Sequence, residues 1–485
     1  MRSIAAMVLL TSCAAVPAAD WPQFRGTRGS GASSEAAALP DAIGPDKNLL
    51  WKTPLPAGHA SPVVADGRVF VAAVDGKRLL TIALDATSGK ILWRREIPHA
   101  TLEETHATGN AAQSTPATDG ERVVSLFGSA GLFCHRAADG ELLWRKPMGP
   151  FKNTYGAGSS PIIAGDRIIL CQDHDQDSFL AAYDKRTGRE LWKADRGEFP
   201  RGYATPVVWK NGDRTEVVIA GTLRIAGYDL ETGKETWTVR GIARLINATP
   251  AVGDDGNLYV IAWSPGGDND EKRIHADPYP KVLAEFDKNG DERIALDELP
   301  DGPIKHRFPQ IDRDKDGFIT TAEYEWMERI FNSARNVFLA IRPGGKGDVT
   351  ASHVVWERDR YLPYVPSPLY HAGHLYTVKD GGIVISIDAA TGAEVKRGRA
   401  PHTGGYYASP VAGDGKIYIA NDRGRVSVLS AEPEWKEISS ADLGETIYAT
   451  PAIAGGRLFV RTAEAVYCFG SPRSEVGAER AGSDP

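Results

Sequence analysis

The chain has 485 residues, and its 56 Lys and Arg set against 63 Asp and Glu leave a formal charge of −7. No basic cluster stands out of that balance, which argues against nucleic acid as a partner. The 51 Gly, 31 Pro and 11 Trp call for many strands joined by tight turns, and past the first residues no apolar run is long enough to read as a membrane span.

In chain order, residues 1–19 read as an export signal: Arg2, an apolar run from Ile4 to Leu10, then small residues. Two processing routes compete. Val16-Pro17-Ala18 followed by Ala19 suits simple cleavage, the favoured route, whereas Leu10-Thr11-Ser12-Cys13 resembles a lipoprotein box that would leave a lipid anchor on Cys13. Either way the mature chain is expected outside the cytoplasm, in the periplasm or beyond it. Residues 20–46 read as an extended segment, 47–264 as the first part of a repeat domain, 265–334 as an insertion, 335–470 as the second part and 471–485 as a disordered tail.

The repeat is a small residue, then Ser or Thr, then Pro. It occurs at Pro62, Pro116, Pro161, Pro206, Pro250, Pro368, Pro410 and Pro451, in steps of 54, 45, 45, 44, 118, 42 and 41 residues. A period near 44 fits a four-stranded propeller blade, and the step of 118 holds an insertion of roughly 75 residues. Within the repeats, Gly89, Gly140, Gly188 and Gly233 each stand four residues before a Trp: Trp93, Trp144, Trp192 and Trp237. Gly supplies the turn, and the Trp is expected to lie flat between neighbouring blades. Lys396 occupies the Trp slot after Gly392. The last repeat, Thr450 to Phe469, has no Trp strand after it, while Trp51 precedes the first. Leu49 to Leu55 is therefore expected to complete the final blade. The fold class is all-β, an eight-bladed propeller closed by its N-terminal strand; such a ring has no open sheet edge and is expected to be monomeric.

Cys134, Cys171 and Cys468 fall in strands and read as buried free thiols. Asp173-His174-Asp175-Gln176-Asp177 alternates metal-like residues but lacks a Gly bend or a terminal Glu, and reads as a solvated acidic hairpin loop.

The insertion carries the strongest chemical motif. Asp312 to Glu323 places Asp312, Asp314, Asp316, the Phe318 carbonyl and Glu323 at the positions of an EF-hand calcium loop, with Gly317 at the sixth position where the chain bends. An earlier loop offers Asp287, Asn289, Asp291, the Arg293 carbonyl and Glu298, but its sixth position is Glu292. A side chain there must accept a strained bend, so this is the weaker site. Ile294 and Ile319, each eighth in its loop, are placed to pair the two. Pro300 and Pro309 are expected to interrupt the linking helices, and the insertion to protrude from one blade. Calcium is the cofactor these loops imply, in a structural role.

Three residues before the repeat prolines stand, among others, His59, Gln113, Tyr203, Asn247, Tyr407 and Tyr448, with Arg201, Arg244 and Tyr364 close in sequence. Where the chain enters the innermost strands, Tyr203, Asn247, Tyr407 and Tyr448 would ring an axial funnel able to hold a peptide, a sugar or a flat ring. Packing of the blade seams accounts for the same residues equally well.

The Asp-x-x-Thr-Gly-x-x-x-Trp turn resembles the blades of the pyrroloquinoline-quinone-dependent dehydrogenase superfamily and its non-catalytic relatives, over about residues 47–470 outside the insertion. The opening Trp21-Pro22-Gln23-Phe24-Arg25-Gly26 is similar to the start of exported bacterial proteins of that class. The resemblance implies a propeller; the quinone-dependent members also carry adjacent cysteines and a set of Glu, Asn and Asp ligands, and no local motif here matches either. The lipoprotein scaffold of bacterial outer-membrane barrel assembly is a second relative of the same repeat. The favoured expectation is an exported, calcium-binding, non-enzymatic propeller that binds a protein, peptide or glycan at its funnel or rim. A quinone-dependent alcohol or sugar dehydrogenase, with PQQ as cofactor, and an outer-membrane assembly scaffold are the alternatives.

Overall fold

The computed structural model describes residues 20–35, 37–265 and 274–471; residues 1–19, where an export signal and the Cys13 anchor are expected, and those from 472 onward lie outside them. Eight sheets follow one another around an axis. Blades 1 to 4 span Val63–Ile97, Ala117–Pro147, Ile162–Asp195 and Val207–Arg240. Blade 5 is split into Ala251–Ala262 and Val337–Arg358, and blades 6 and 7 span Leu369–Arg399 and Val411–Asp442. Blade 8 consists of Ala452–Gly470 completed by Leu49–Pro54, which runs antiparallel to Ala465–Gly470 with Trp51 opposite Cys468. The N-terminal strand therefore closes the ring as its sequence position requires.

The Trp residues seal the seams by stacking on glycines. A Cβ at Gly89, Gly140, Gly188, Gly233 or Gly392 would strike the indole of Trp51, Trp93, Trp144, Trp192 or Trp356, each from the preceding blade. Each indole N–H then reaches a carbonyl of that next blade, as Trp93 does to Ala137 at 3.0 Å and Trp356 to Ala389 at 2.9 Å. Lys396 keeps the slot in another way: its ammonium lies over the Trp435 ring and donates to the Trp435 carbonyl. Trp237 departs from the pattern. A two-residue strand, Gly347–Asp348, lies parallel along the outer edge of blade 4, and Trp237 turns onto Gly227 of its own sheet and donates to buried Glu216 at 2.6 Å. Trp209 takes over the seam, donating to the Gly256 carbonyl at 2.9 Å. Cys134, Cys171 and Cys468 are buried and unpaired.

The segment from Trp21 to Lys47 crosses one face of the ring. Trp21 bridges Val64 of blade 1, the Pro22 carbonyl accepts from Thr118 of blade 2, and Arg25 donates to the Pro368 carbonyl at blade 6. Ala32 bridges Ala412 of blade 7, and Glu35 accepts from the Gly456 amide of blade 8. Arg25 is fully buried without a carboxylate partner among the described residues, and burial pushes its guanidinium down to about 9.

The insertion forms a small domain with its own core of Tyr279, Val282, Ile294, Phe308, Ile311, Ile319, Tyr324 and Met327. Its helices are α1 (Tyr279–Phe286), α2 (Pro303–Ile311) and α3 (Thr321–Ser333). Pro309 does not interrupt α2; it sits in the last turn, where only one intrahelical bond is forfeited. The domain is also anchored to the propeller. Leu223 of blade 4 packs against its core, and Arg244, just past that blade, lies 4.9 Å over the Phe331 ring.

Candidate functional site

The Ser or Thr of each repeat phrase joins its blade to the next. The amide of Ser61 donates to the Thr115 hydroxyl, Thr115 to Ser160, Ser160 to Thr205, Thr205 to Thr249, Thr249 to Ser367, Ser367 to Ser409, Ser409 to Thr450, and Thr450 back to Ser61, all at 2.9–3.1 Å. The eight repeats thus close a circle of side-chain bonds around the axis. The following Pro has no amide to offer, and the hydroxyl of the next blade satisfies the last free N–H before the inner strand.

This circle lines an axial cavity of about 340 Å³. Residues two places earlier in each repeat form the wall above it, so His59, Gln113, Tyr203, Asn247, Tyr407 and Tyr448 all face the cavity, as do Tyr364 and Tyr155. Arg201 and Arg244 are not part of the lining. Arg201 is held by Asp175 through two bonds of 2.9 and 2.8 Å, and Arg244 donates to the Pro265 carbonyl. Phe24 lines the cavity too, and repeat spacing gave no sign of it. Its segment touches the inner strands beyond the hydroxyl circle, at Val64, Thr118, Pro368 and Ala412, so Phe24 closes the far end. Only the Trp-Pro-Gln-Phe-Arg-Gly opening could have flagged it.

The wall residues partly serve the seams. Gln113 donates to the Tyr155 carbonyl at 2.6 Å, Asn247 to the Tyr364 carbonyl at 3.1 Å, and the Tyr203 hydroxyl to the Asn153 side chain. Among the described residues the Tyr407 and Tyr448 hydroxyls find no protein partner, while their rings meet edge to face, 4.9 Å apart at 74°. Burial, with the Arg461 charge behind it, pushes His59 down to about 4, so its ring is neutral at ordinary pH. Burial pushes Tyr364 up to about 12 and raises Tyr203, Tyr407 and Tyr448 as well. Among the described residues the lining holds no carboxylate, Lys or Arg. A carboxylate ligand set of a quinone site is therefore not brought together on this cavity among the described residues, although His59 and His106 both line it.

The two acidic loops pair through Ile294 and Ile319. In the later loop Glu323 accepts from the Arg313 and Thr320 amides at 2.8 and 3.0 Å, and Asp312 accepts from Gly317 at 3.1 Å. The other oxygen of Asp312 is buried with no partner, and ligand oxygens of Asp312, Asp314 and Glu323 lie within 4.8 Å of one another. That orphaned oxygen is what a cation would satisfy. In the earlier loop both oxygens of Asp287 are taken, by the Gly290 and Glu292 amides, and Glu298 accepts from Lys288 and Ala295. The bend is also shared differently from the sequence reading. Each loop has positive φ at its fourth and sixth positions: Gly290 and Glu292 in one, Lys315 and Gly317 in the other. One glycine per loop relieves one of the two, so Glu292 alone does not set the loops apart. Asp316 turns to the Phe318 amide, Asn289 and Asp291 to amides within their loop, and Arg293 stacks on Phe318 at 4.0 Å.

The 173–177 loop is not a solvated acidic turn. Asp173 is buried against Arg196, Asp175 accepts from Gln310 at 2.8 Å, Gln176 donates to the Pro309 carbonyl at 2.7 Å, and Asp177 pairs with Lys315. Its acids meet cations and amides that come from distant sequence, including the insertion, and together they form the seat on which the insertion rests.

Fold and cavity define an eight-bladed propeller built from the quinoprotein-type repeat. The family model described as outer membrane protein assembly factor BamB matches residues 42–108, 77–266 and 380–471, more than half of the chain, and the protein belongs to that family. The stretch between the matches, 267–379, holds the insertion, the outer half of blade 5 and the first two strands of blade 6. The outer membrane protein assembly factor BamB of Burkholderia pseudomallei is 26% identical over 199 residues, 40% of this chain and 48% of that protein, so the match spans about half the length of that curated relative. Among solved structures, BamB from Moraxella catarrhalis superposes with a TM-score of 0.55 at 15% identity, covering 87% of this chain and 99% of that one. The computationally designed Ika8 protein gives 0.53 at 11% identity, with 87% and 100% covered. Both likenesses show the fold.

Proposed function

We propose that this protein is an exported binding scaffold: a non-enzymatic propeller whose axial funnel and rim hold a partner, with an insertion stiffened by calcium. The observation that carries the reading is the funnel itself, where eight hydroxyls and a wall of aromatic and amide side chains converge on one cavity that no carboxylate or charged base lines. Such a surface recognises and does not transform. Membership of the BamB family supports the scaffold role and favours a second, narrower reading, assembly of outer-membrane proteins. Among the described residues no helix is long and apolar enough to cross a membrane. Calcium would be held at Asp312, Asp314, Asp316, the Phe318 carbonyl and Glu323, with the loop of Asp287, Asn289, Asp291, the Arg293 carbonyl and Glu298 filling second. Co-purification with tagged outer-membrane assembly partners tests the scaffold reading. Capture that is lost in a Tyr203, Tyr407 and Tyr448 triple alanine variant is the expected result, and capture indifferent to that variant overturns binding through the funnel.

A further inference from the structure

The eight hydroxyls of the axial circle have a property that a mere seam does not need. Each accepts an amide from the blade before it, and not one donates its own proton to a protein acceptor among the described residues. All eight are at least 97% buried yet line the cavity. A circle of unused O–H donors around an enclosed space calls for an occupant rich in acceptor oxygens. Gln113, also in the lining, donates one of its two amide N–H groups to the Tyr155 carbonyl.

The aromatic groups narrow the class. Tyr407 with Tyr448, and Tyr155 with Tyr203, meet at 74° and 68°, edge to face, so they offer faces at several tilts and no parallel pair to clamp a flat ring. A non-planar ring bearing hydroxyls fits such a bowl, with its C–H faces on the rings and its oxygens toward the circle.

Positive charge stands just outside the lining, beside Tyr364. Arg244 of the propeller and Arg307 of the insertion lie 4.9 and 5.1 Å over the one Phe331 ring, and neither meets a carboxylate among the described residues. Arg201 is the third cation there, tied to Asp175. Burial holds the unpaired two below the usual guanidinium range, helped by the Arg307 and Arg201 charges for Arg244 and by the Arg201 charge for Arg307. Arg201 and Arg244 stand two and three residues before Tyr203 and Asn247 of the wall. Asp380 and Asp422 accept from the Tyr406 and Gly405 amides, and their charges act on Tyr407 of the wall.

From these arrangements we infer that the funnel takes the end of an acidic saccharide, a sugar ring seated on the hydroxyl circle and a uronate carboxylate met by Arg244 and Arg307. This rests on the funnel being a binding site, as proposed above. Calorimetric titration of the calcium-loaded full chain with trigalacturonate and with neutral galactotriose tests it. The expected result is saturable binding of the acidic trimer, about tenfold tighter than the neutral one, with the gap narrowing as salt rises. Arg244→Gln with Arg307→Gln brings the acidic trimer down to the neutral level and leaves the neutral affinity unchanged. Tyr407→Ala with Tyr448→Ala abolishes both while melting temperature and calcium uptake hold. Equal or tighter binding of the neutral trimer, or no saturation by either sugar at millimolar concentration, overturns the inference. If instead a peptide binds and is lost in the Tyr407→Ala, Tyr448→Ala variant, the saccharide assignment falls and the funnel stands as a binding site. If that variant changes no ligand at all, both fall.

Discussion

The amide of Thr450 donates to the hydroxyl of Ser61 at 3.0 Å, across 389 positions of the chain. This bond joins the last repeat to the first and completes the circle that the other seven links begin. Thr205→Val keeps the side-chain shape but removes the acceptor of the buried Ser160 amide. Chemical denaturation is expected to show a loss of about 1–3 kcal/mol, the usual result of an unsatisfied buried N–H, and Thr205→Ser to recover most of it.

Closure by the first strand is a separate requirement. Without Leu49–Pro54 the edge of Ala465–Gly470 is bare and Gly89 loses the Trp51 indole that covers it. Deletion of residues 47–55 is expected to abolish soluble expression, because an open strand edge invites pairing between chains. Soluble protein with an unchanged thermal melt would contradict this.

If the acidic loops hold calcium as proposed, the ion is expected to raise the melting temperature, since a ligand of the folded insertion stabilises it against the unfolded chain. At a hundredfold excess over its dissociation constant the stabilisation is about 2.7 kcal/mol. Glu323→Gln is expected to remove the tighter of two calorimetric events and Glu298→Gln the weaker. The difference follows from the Asp312 oxygen left without a partner in the later loop, while Asp287 is already satisfied in the earlier one.

Glu103 gives the fold a pH dependence. Its carboxylate is buried without a side-chain partner among the described residues, and burial, opposed only by the Ala157 amide, raises its pKa to about 7. A carboxyl whose folded pKa is raised contributes fully below its unfolded value near 4.5, and the contribution is lost as pH climbs through 7. The window implies about 3 kcal/mol between pH 4.5 and pH 8. Glu103→Gln is expected to match the native protein at pH 4.5 and to melt higher at pH 8.

What was legible in the sequence is what repeats. Because each blade satisfies the same geometric demand, Pro62 to Pro451 announce eight sheets, and the offset before each Pro places Tyr203, Asn247, Tyr407 and Tyr448 on the cavity. What was not legible depends on contacts between distant, unrepeated segments. Phe24 reaches the axis because its segment is held by Val64, Pro368 and Ala412, and no local period encodes that path. Asp175 and Asp177 read as solvated acids because Gln310 and Lys315, their partners, are more than 130 residues away. Trp237 keeps the spacing of its fellows but turns inward, since the strand of Gly347 and Asp348 that flanks it comes from another blade.

A non-enzymatic role is tested most directly by dye-linked turnover after reconstitution with pyrroloquinoline quinone and calcium. With no carboxylate on the funnel wall to act as base, alcohols and aldose sugars are expected to give no dye reduction above that of the free quinone. Saturable reduction of the dye by any of them would contradict the account and make the protein a dehydrogenase.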